Sequence, residues 1–189
     1  MFWLGIDYGA KLAGTTAISF VENNQIKTLQ SVKKQDADAF CTEWVSRLKP
    51  NFIMIDAPLS LPLAYFGKGD DYFYREADRQ LKAMSPLFLG GLTARAMRLA
   101  NQWTKQGISV YESYPRMVAQ LAFGLSNKAE KAIKDAVINY LKTEGLQISE
   151  ASFQSGHALD SVLAWISGKR LTTMKAVITG DAEEGLIYS

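Results

Sequence analysis

Three apolar, strand-like segments of this sequence each carry a single acidic residue close to the C-terminal end. The acids are Asp7 in Phe-Trp-Leu-Gly-Ile-Asp, Asp56 in Phe-Ile-Met-Ile-Asp and Glu112 in Ile-Ser-Val-Tyr-Glu. An isolated carboxylate in such surroundings destabilises the folded chain unless it pairs, becomes protonated or binds a cation. In open α/β sheets, ligands bind beyond the carboxyl ends of the strands, so three acids placed there can converge on one point.

Hydrophobic periodicity predicts an α/β layer arrangement with a mixed sheet. Five strands are predicted, of which the first three are antiparallel, at residues 2–8, 13–21, 26–32, 51–57 and 108–112. Helices are predicted at residues 37–48 with Asp36 as the cap, and at 72–83, 93–105, 116–123, 128–143 and about 156–167. Residues 63–106 then form a helical insertion between strands 4 and 5, and 171–189 form a strand or an irregular cap.

Composition limits the chemistry that the chain can use. The 189 residues suit one domain spanning 1–189, and they contain one cysteine, Cys41, and one histidine, His157. A disulfide framework within the chain and a closed Cys/His zinc site are therefore excluded. The balance of 21 basic to 19 acidic residues does not by itself indicate a nucleic-acid partner. No apolar run is long enough to span a bilayer, and we expect a soluble, cytoplasmic protein without a membrane partner or signal peptide.

A fourth acid, Asp160, lies in the apolar helix His-Ala-Leu-Asp-Ser-Val-Leu-Ala-Trp, three residues after His157. On a helix the two side chains project from one face. With no imidazole cluster available, oxygen ligands from Asp7, Asp56, Glu112 and Asp160 favour Mg²⁺ or Mn²⁺. The alternative is that each acid is simply solvated where its strand ends, or, at Asp56, that it forms a turn before Ala-Pro.

The sequence also resembles known proteins at these acids. The stretch Gly5-Ile6-Asp7-Tyr8-Gly9-Ala10-Lys11 resembles the first strand of resolvase-type RNase H-fold proteins. More closely, the chain resembles the domain-of-unknown-function-429 family of predicted RNase H-fold nucleases, over residues 55–62, 74–79, 111–115, 157–164 and 180–187. The chain departs from that family at Ser161, where a second Asp or a small residue is usual, and at Leu186, where an aromatic is common.

This resemblance implies an RNase H-like fold and nuclease activity. If the four acids converge, we expect metal-dependent hydrolysis of phosphodiester bonds by a two-metal carboxylate mechanism. Asp7 would be the bridging ligand, and Asp56 or Glu112 would complete the metal shells together with Asp160. His157 would assist proton transfer to the leaving group or hydrogen-bond a ligand. An exposed histidine near a helix N-terminus is the competing interpretation.

Basic residues near these acids are candidates for binding substrate phosphates. Guanidinium groups suit phosphate, and we predict such contacts for Arg75, Arg79, Arg95 and Arg116, and for Lys11 after the first strand. Interleaved acids make a surface salt-bridge face the competing interpretation. We prefer it for Arg98.

Two other functions remain open on the sequence. Asp7-Tyr8-Gly9 and the hairpin to Thr15-Thr16 look like the phosphate loop of sugar-kinase and actin-like proteins, although a second such hairpin and a Walker-type loop are absent. A noncatalytic interaction protein on the same fold is the third hypothesis. DNA, RNA and a small phosphoester remain alternative substrates, and a homodimer remains an option.

Overall fold

The fold is described from a computed structural model, which describes residues 1–125 and 130–189. Its described part contains an eight-stranded mixed sheet in the order β6-β3-β2-β1-β4-β5-β8-β7. The strands are β1 (Trp3–Asp7), β2 (Ala17–Glu22), β3 (Gln25–Gln30), β4 (Phe52–Asp56), β5 (Ser109–Ser113), β6 (Gln147–Ile148), β7 (Ile178–Asp181) and β8 (Gly185–Tyr188).

Seven α-helices lie within the same described residues. They are α1 (Ala37–Leu48), α2 (Glu76–Leu81), α3 (Pro86–Leu89), α4 (Gly91–Thr104), α5 (Pro115–Phe123), α6 (Glu130–Thr143) and α7 (Gly156–Thr172). Short 3-10 turns occur at Leu63–Phe66 and Glu150–Phe153. Within these described ranges, no helix has the length and apolar character needed to cross a membrane.

The predicted fold class is confirmed, but the predicted number of strands is wrong. All five predicted strands form, and β1, β2 and β3 are antiparallel neighbours as expected. The additional strands are the two-residue β6, which pairs with β3 at the sheet edge, and the hairpin of β7 and β8, which lies within 171–189, where a strand or an irregular cap is predicted. β8 joins the sheet by pairing in parallel with β5. A two-residue strand has no alternating pattern, so periodicity cannot reveal it.

The predicted helices form, but several of them begin or end at other residues than predicted. Helix α1 has the predicted bounds, and the Asp36 side chain caps it by accepting hydrogen bonds from the Asp38 and Ala39 amides. Helix α2 begins four residues later than predicted, because Arg75 is its N-cap residue. Helix α7 continues beyond the predicted end to Thr172. Residues 128 and 129 of the predicted helix 128–143 lie outside the described residues.

The two faces of the sheet have separate hydrophobic cores. Alternate residues of β1, Leu4 and Ile6, pack toward α1 and α4. On the other face, α7 packs with α5 and α6 through Val162, Leu163 and Ile166. Helix α7 is therefore the central helix on this face of the sheet, and it lies directly against β1.

A glycine on β1 allows this close approach. A Cβ atom added to Gly5 would lie 2.2 Å from the backbone nitrogen of Trp165 and 2.3 Å from the backbone oxygen of Ser161. Both atoms belong to the backbone of α7, so a side-chain rotation cannot relieve the overlap. Gly5 therefore sets the distance between β1 and α7.

We expect Gly5→Ala to lower the free energy of unfolding by about 3 kcal/mol, because α7 must move away from the sheet. The control is Gly91→Ala, since nothing lies within 4 Å of a Cβ added at this position in α4. The control is expected to be neutral or slightly stabilising, as alanine favours a helix over glycine. Urea unfolding of both variants measures the difference, and equal stability of the two would contradict the packing argument.

Candidate active site

Two aspartates lie side by side at the carboxyl ends of neighbouring strands. Asp7 of β1 and Asp56 of β4 are directly paired in the parallel register. Asp7 alternates with Gly5, which touches α7, so both aspartates point to the α7 face of the sheet. Asp7 is 8 % exposed, so its carboxylate lies at the edge of the core.

Helix α7 contributes the remaining polar groups of this cluster. His157 and Asp160 are in its first turns, three residues apart, after a cap in which Ser155 accepts a hydrogen bond from the Ala158 amide. The His157 Nδ1 atom lies 2.7 Å from Asp7 Oδ2. The helix that Gly5 admits against β1 therefore joins the two predicted parts of the site.

Burial and mutual repulsion make the carboxylates of this cluster reluctant to ionise. Burial raises the pKa of Asp7 to about 8, and the charge of Asp160 adds to the shift. Burial also raises the pKa of Asp56 well above its usual value, with further contributions from Asp7, Asp160 and Glu112. The pKa of Asp160 rises to about 6, mainly through burial, although His157 opposes the shift. No hydrogen bond within the described residues offsets the shift of Asp56 or Asp160.

The Glu112 side chain points to the other face of the sheet, although Glu112 lines the same cleft as Asp7 and Asp56. Its role as a metal ligand stays a prediction. The β4–β5 register pairs Glu112 with Ile55, so its side chain points to the same face as Ile55, opposite to Asp56. There it accepts hydrogen bonds from Arg75 Nη1 and Nη2, both at 2.7 Å, and from the Leu59 amide at 2.9 Å. The Glu112 carboxylate is thereby paired with Arg75 on the α4 side of the sheet.

Arg75 is the partner of the Glu112 carboxylate, and the structure places it in the interior rather than at a surface open to phosphate. The residue is fully buried. Its guanidinium donates to Asp78, Glu112 and Ser60, so the side chain is committed within the protein. A bidentate arginine between two carboxylates is the arrangement that best compensates buried charge.

Arg95 and Arg98 of α4 both bind Asp38. Arg95 Nη2 lies 2.6 Å from Asp38 Oδ1, and its guanidinium lies over the Tyr8 ring. The salt bridge preferred for Arg98 is present, at 2.7 Å from Asp38 Oδ2. The Tyr8 hydroxyl donates to the same carboxylate, and these contacts hold the pKa of Asp38 below its usual value despite burial.

The other predicted basic residues are on the surface. Arg79 pairs with Asp71 and lies over the Tyr74 ring, and Lys11 lies 3.3 Å from Asp36. Arg116 is exposed in the first turn of α5. Contact of these three side chains with phosphate stays a prediction.

A cleft of about 200 Å³ opens beside Asp7 and Asp56. The helical insertion forms its opposite wall, with Ala83, Met84, Leu89 and Leu92. Ser113 and Tyr114, at the end of β5, also line the cleft. Neither is among the predicted site residues, although alternation along the strand places Ser113 on the face opposite to Glu112.

The donor chemistry of the cluster fits a hard divalent cation. Carboxylate oxygens of Asp7, Asp56 and Asp160 are the ligands that Mg²⁺ and Mn²⁺ prefer, and their burial is not compensated by hydrogen bonds as Glu112 is. Among the residues that the structure describes, no three His, Cys, Asp or Glu side chains are already arranged as a metal-binding group. The match between this cluster and a divalent cation therefore rests on the type of ligand atom and on carboxylate charges that hydrogen bonds do not compensate.

Comparison with solved structures identifies the architecture. The structure of Thermus thermophilus RuvC aligns with 93 % of this chain and 98 % of its own, at 18 % identity and a TM-score of 0.54. The fold is RNase H-like. The yeast mitochondrial Holliday junction resolvase Ydc2 aligns over 92 % of this chain and 81 % of its own, at 15 % identity and a TM-score of 0.49.

A second Thermus thermophilus RuvC structure, in complex with a Holliday junction substrate, covers 92 % of this chain and 96 % of its own, with 16 % identity and a TM-score of 0.48. No family model and no curated protein matches the chain. Membership of the domain-of-unknown-function-429 family therefore stays a prediction, whereas the RNase H-like fold is established.

We expect Arg75→Ala to lower the free energy of unfolding by about 3–5 kcal/mol, because Glu112 and Asp78 would be left buried without a counter-charge. Arg79→Ala, four residues along, is the control. Its ion pair with Asp71 is exposed and should contribute about 0–1 kcal/mol. Chemical denaturation of the two variants measures both effects, and a similar loss in each would contradict the assigned burial.

Removing a charge from the cluster should have the opposite effect. In excess chelator, we expect Asp56→Asn to stabilise the protein by about 1 kcal/mol, or about 2–4 °C in Tm, because the variant no longer has a desolvated carboxyl group that Asp7 and Asp160 repel. Asp135→Asn, on the exposed face of α6, should leave Tm unchanged. A clearly lower Tm for Asp56→Asn would show that the carboxylate is compensated in the folded protein.

Proposed function

We propose that this protein is a metal-dependent nuclease that hydrolyses phosphodiester bonds. The observation that carries the proposal is the cluster of Asp7, Asp56 and Asp160 with His157 at the carboxyl ends of β1 and β4. Asp7 is buried, Asp56 and Asp160 are partly buried, and the three carboxylates repel one another. Asp56 and Asp160 accept no compensating hydrogen bond from a described residue. Asp7 and Asp56 face the cleft, and perturbed groups in such a position are typical of functional sites.

The three aspartates would hold Mg²⁺ or Mn²⁺, as one ion or two. A bound divalent ion polarises the phosphate and lowers the pKa of its water, which makes hydrolysis possible at neutral pH. Asp7 has the central position, since it is paired with Asp56 across the strands and bonded to His157 from α7. The number of ions is a question for titration.

His157 has a position suited to handling a proton. Asp7 holds its Nδ1 atom, which orients the ring, and the side chain is 45 % exposed. The Nε2 atom is therefore the one left to face substrate. We propose that it gives a proton to the leaving oxygen or donates a hydrogen bond to a phosphate oxygen.

The basic surface residues would bind the polyanion rather than take part in the reaction. Arg116 lies at the start of α5, next to the cleft residue Tyr114. Arg79 and Lys11 are exposed, and Arg95 is held by Asp38 near the carboxyl end of β1. Each would contribute mainly salt-dependent affinity for phosphates. A homodimer remains a prediction.

The phosphate-loop alternative receives less support from the first hairpin. The Gly9 amide donates to the Thr16 side-chain oxygen at 2.9 Å, and Thr16 is fully buried. These two groups, which a phosphate-binding loop would present to its ligand, are used within the hairpin. A noncatalytic protein on this fold is distinguished from the nuclease by activity.

The decisive experiment is cleavage of four-way junction, single-stranded and RNA:DNA oligonucleotides in Mg²⁺ or Mn²⁺. We expect Asp7→Asn to lower kcat/KM by about 10³-fold, because the central carboxylate is lost. Asp135→Asn should retain full activity. Equal cleavage by Asp7→Asn and wild type would remove Asp7 from the reaction.

Metal binding provides a readout that does not depend on cleavage. Mn²⁺ at about 100 times its Kd should stabilise the wild type by about 2.7 kcal/mol, since the ion binds only the folded state. Asp7→Asn should show little of this stabilisation. An equal rise in Tm for both proteins would place the ion elsewhere.

A further inference from the structure

Ser113 carries a buried hydroxyl that has no partner. The residue is 2 % exposed, and its Oγ atom makes no hydrogen bond to any described residue. Leaving a buried hydroxyl unpaired destabilises the folded state, so such groups are few in native proteins and each needs a reason. Packing alone would be served better by alanine at this position.

The position of Ser113 supplies a reason. It ends β5 and lines the cleft together with Asp7 and Asp56. Since Glu112 is paired with Ile55, continuing the register by one residue brings Ser113 beside Asp56, on the same face of the sheet. The unpaired hydroxyl is thus next to the carboxylates of the candidate active site.

A helix begins at the same place. Tyr114 is the N-cap residue of the nine-residue helix α5 and makes no side-chain capping bond, and Pro115 occupies the first turn. The uncapped N-terminus of a helix carries partial positive charge and favours an anion. Ser113 and Tyr114 connect this helix end to the cleft.

Several polar groups near the cleft are already bonded within the protein, although the Nε2 atom of His157 is left for substrate. The Tyr8 hydroxyl donates to Asp38, His157 Nδ1 is bonded to Asp7, and Arg75 is committed to Glu112 and Asp78. Among the described residues that line the cleft, Ser113 and Tyr114 are left as the side-chain hydroxyls without a protein partner. Only that of Ser113 is buried.

We propose that the Ser113 hydroxyl, with the N-terminus of α5, binds a non-bridging oxygen of the substrate phosphodiester. This inference rests on the proposed function, which it extends by assigning the phosphate subsite to the end of β5. A donor here offsets the repulsion between the phosphate and the three aspartates. Ser113 contacts substrate and not the metal ion.

The test compares two serines whose buried hydroxyl groups have no hydrogen-bond partner among the described residues. Ser113→Ala and Ser189→Ala each remove a buried hydroxyl without a partner, but Ser189 does not line the cleft. Neither variant should lose stability, and Tm is expected to stay the same or to rise by about 2–4 °C. Ser113→Ala should lower kcat/KM for oligonucleotide cleavage by about 10- to 100-fold, as expected for loss of a hydrogen bond to a charged group. Ser189→Ala should cleave like the wild type.

Two further measurements separate the subsite from packing and from metal binding. Ser113→Cys keeps a side chain of similar size with a weak donor, so its activity should stay close to that of Ser113→Ala. Calorimetric titration with Mn²⁺ alone should give Ser113→Ala the wild-type Kd. Wild-type cleavage by Ser113→Ala, or a weaker Mn²⁺ affinity equal to that of Asp7→Asn, would overturn the proposal.

Binding of a four-way DNA junction, with Ca²⁺ in place of Mg²⁺, distinguishes failure of the subsite from failure of the nuclease. If the wild type binds the junction but cleaves no substrate, and Ser113→Ala binds about 10-fold more weakly, the nuclease is wrong and the phosphate subsite stands. If Ser113→Ala binds as tightly as the wild type, or if neither binds, the subsite is wrong.

Discussion

The contact between the backbone of α7 and Gly5 of β1 is the constraint on which the candidate site depends. Only a residue without a Cβ atom allows the helix to lie this close to the sheet, since a methyl group would overlap two backbone atoms of α7. The same helix carries His157 and Asp160, and Asp7 is two residues from Gly5 on the same face. A packing requirement in the core thereby fixes the distance across the site, including the bond between His157 and Asp7.

The two faces of the sheet treat their buried acids differently. On the α4 side, Glu112 and Asp78 are compensated by the buried guanidinium of Arg75, and Asp38 by Arg95, Arg98 and Tyr8. On the α7 side, the partly buried Asp56 and Asp160 accept no hydrogen bond from a described residue. Buried charges are usually paired because an unpaired one destabilises the folded state. The uncompensated face is therefore where a ligand would contribute most, which agrees with the proposed metal and phosphate positions.

Likeness to RuvC establishes the architecture and leaves the activity to the site. At 18 % identity and a TM-score of 0.54, the common property is the arrangement of strands and helices. A fold of this type supports many functions, and the chemistry depends on particular side chains. The proposed hydrolysis depends on the aspartates, on His157 and on the cleft beside Asp7 and Asp56.

The sequence by itself determined which residues could carry chemistry. Apolar strands ending in Asp7 and Asp56, and the three-residue spacing of His157 and Asp160, follow from local periodicity, and the structure brings these four residues together. The mixed sheet with its antiparallel first strands was predictable for the same reason. Short edge strands such as β6, and the late start of α2, were not, because they depend on pairing and capping by distant or atypical residues.

Only the tertiary structure decided to which face of the sheet the side chains at each strand end point. A shift of one residue in the β4–β5 register would move Glu112 to the side of Asp56 and Ser113 to the other, and nothing local in the sequence sets that register. In the observed register Glu112 forms a salt bridge with Arg75, which is far from it in the chain, and Ser113 lies beside the aspartates. Alternation along a strand fixes relative faces, whereas long-range packing chooses which of them becomes the site.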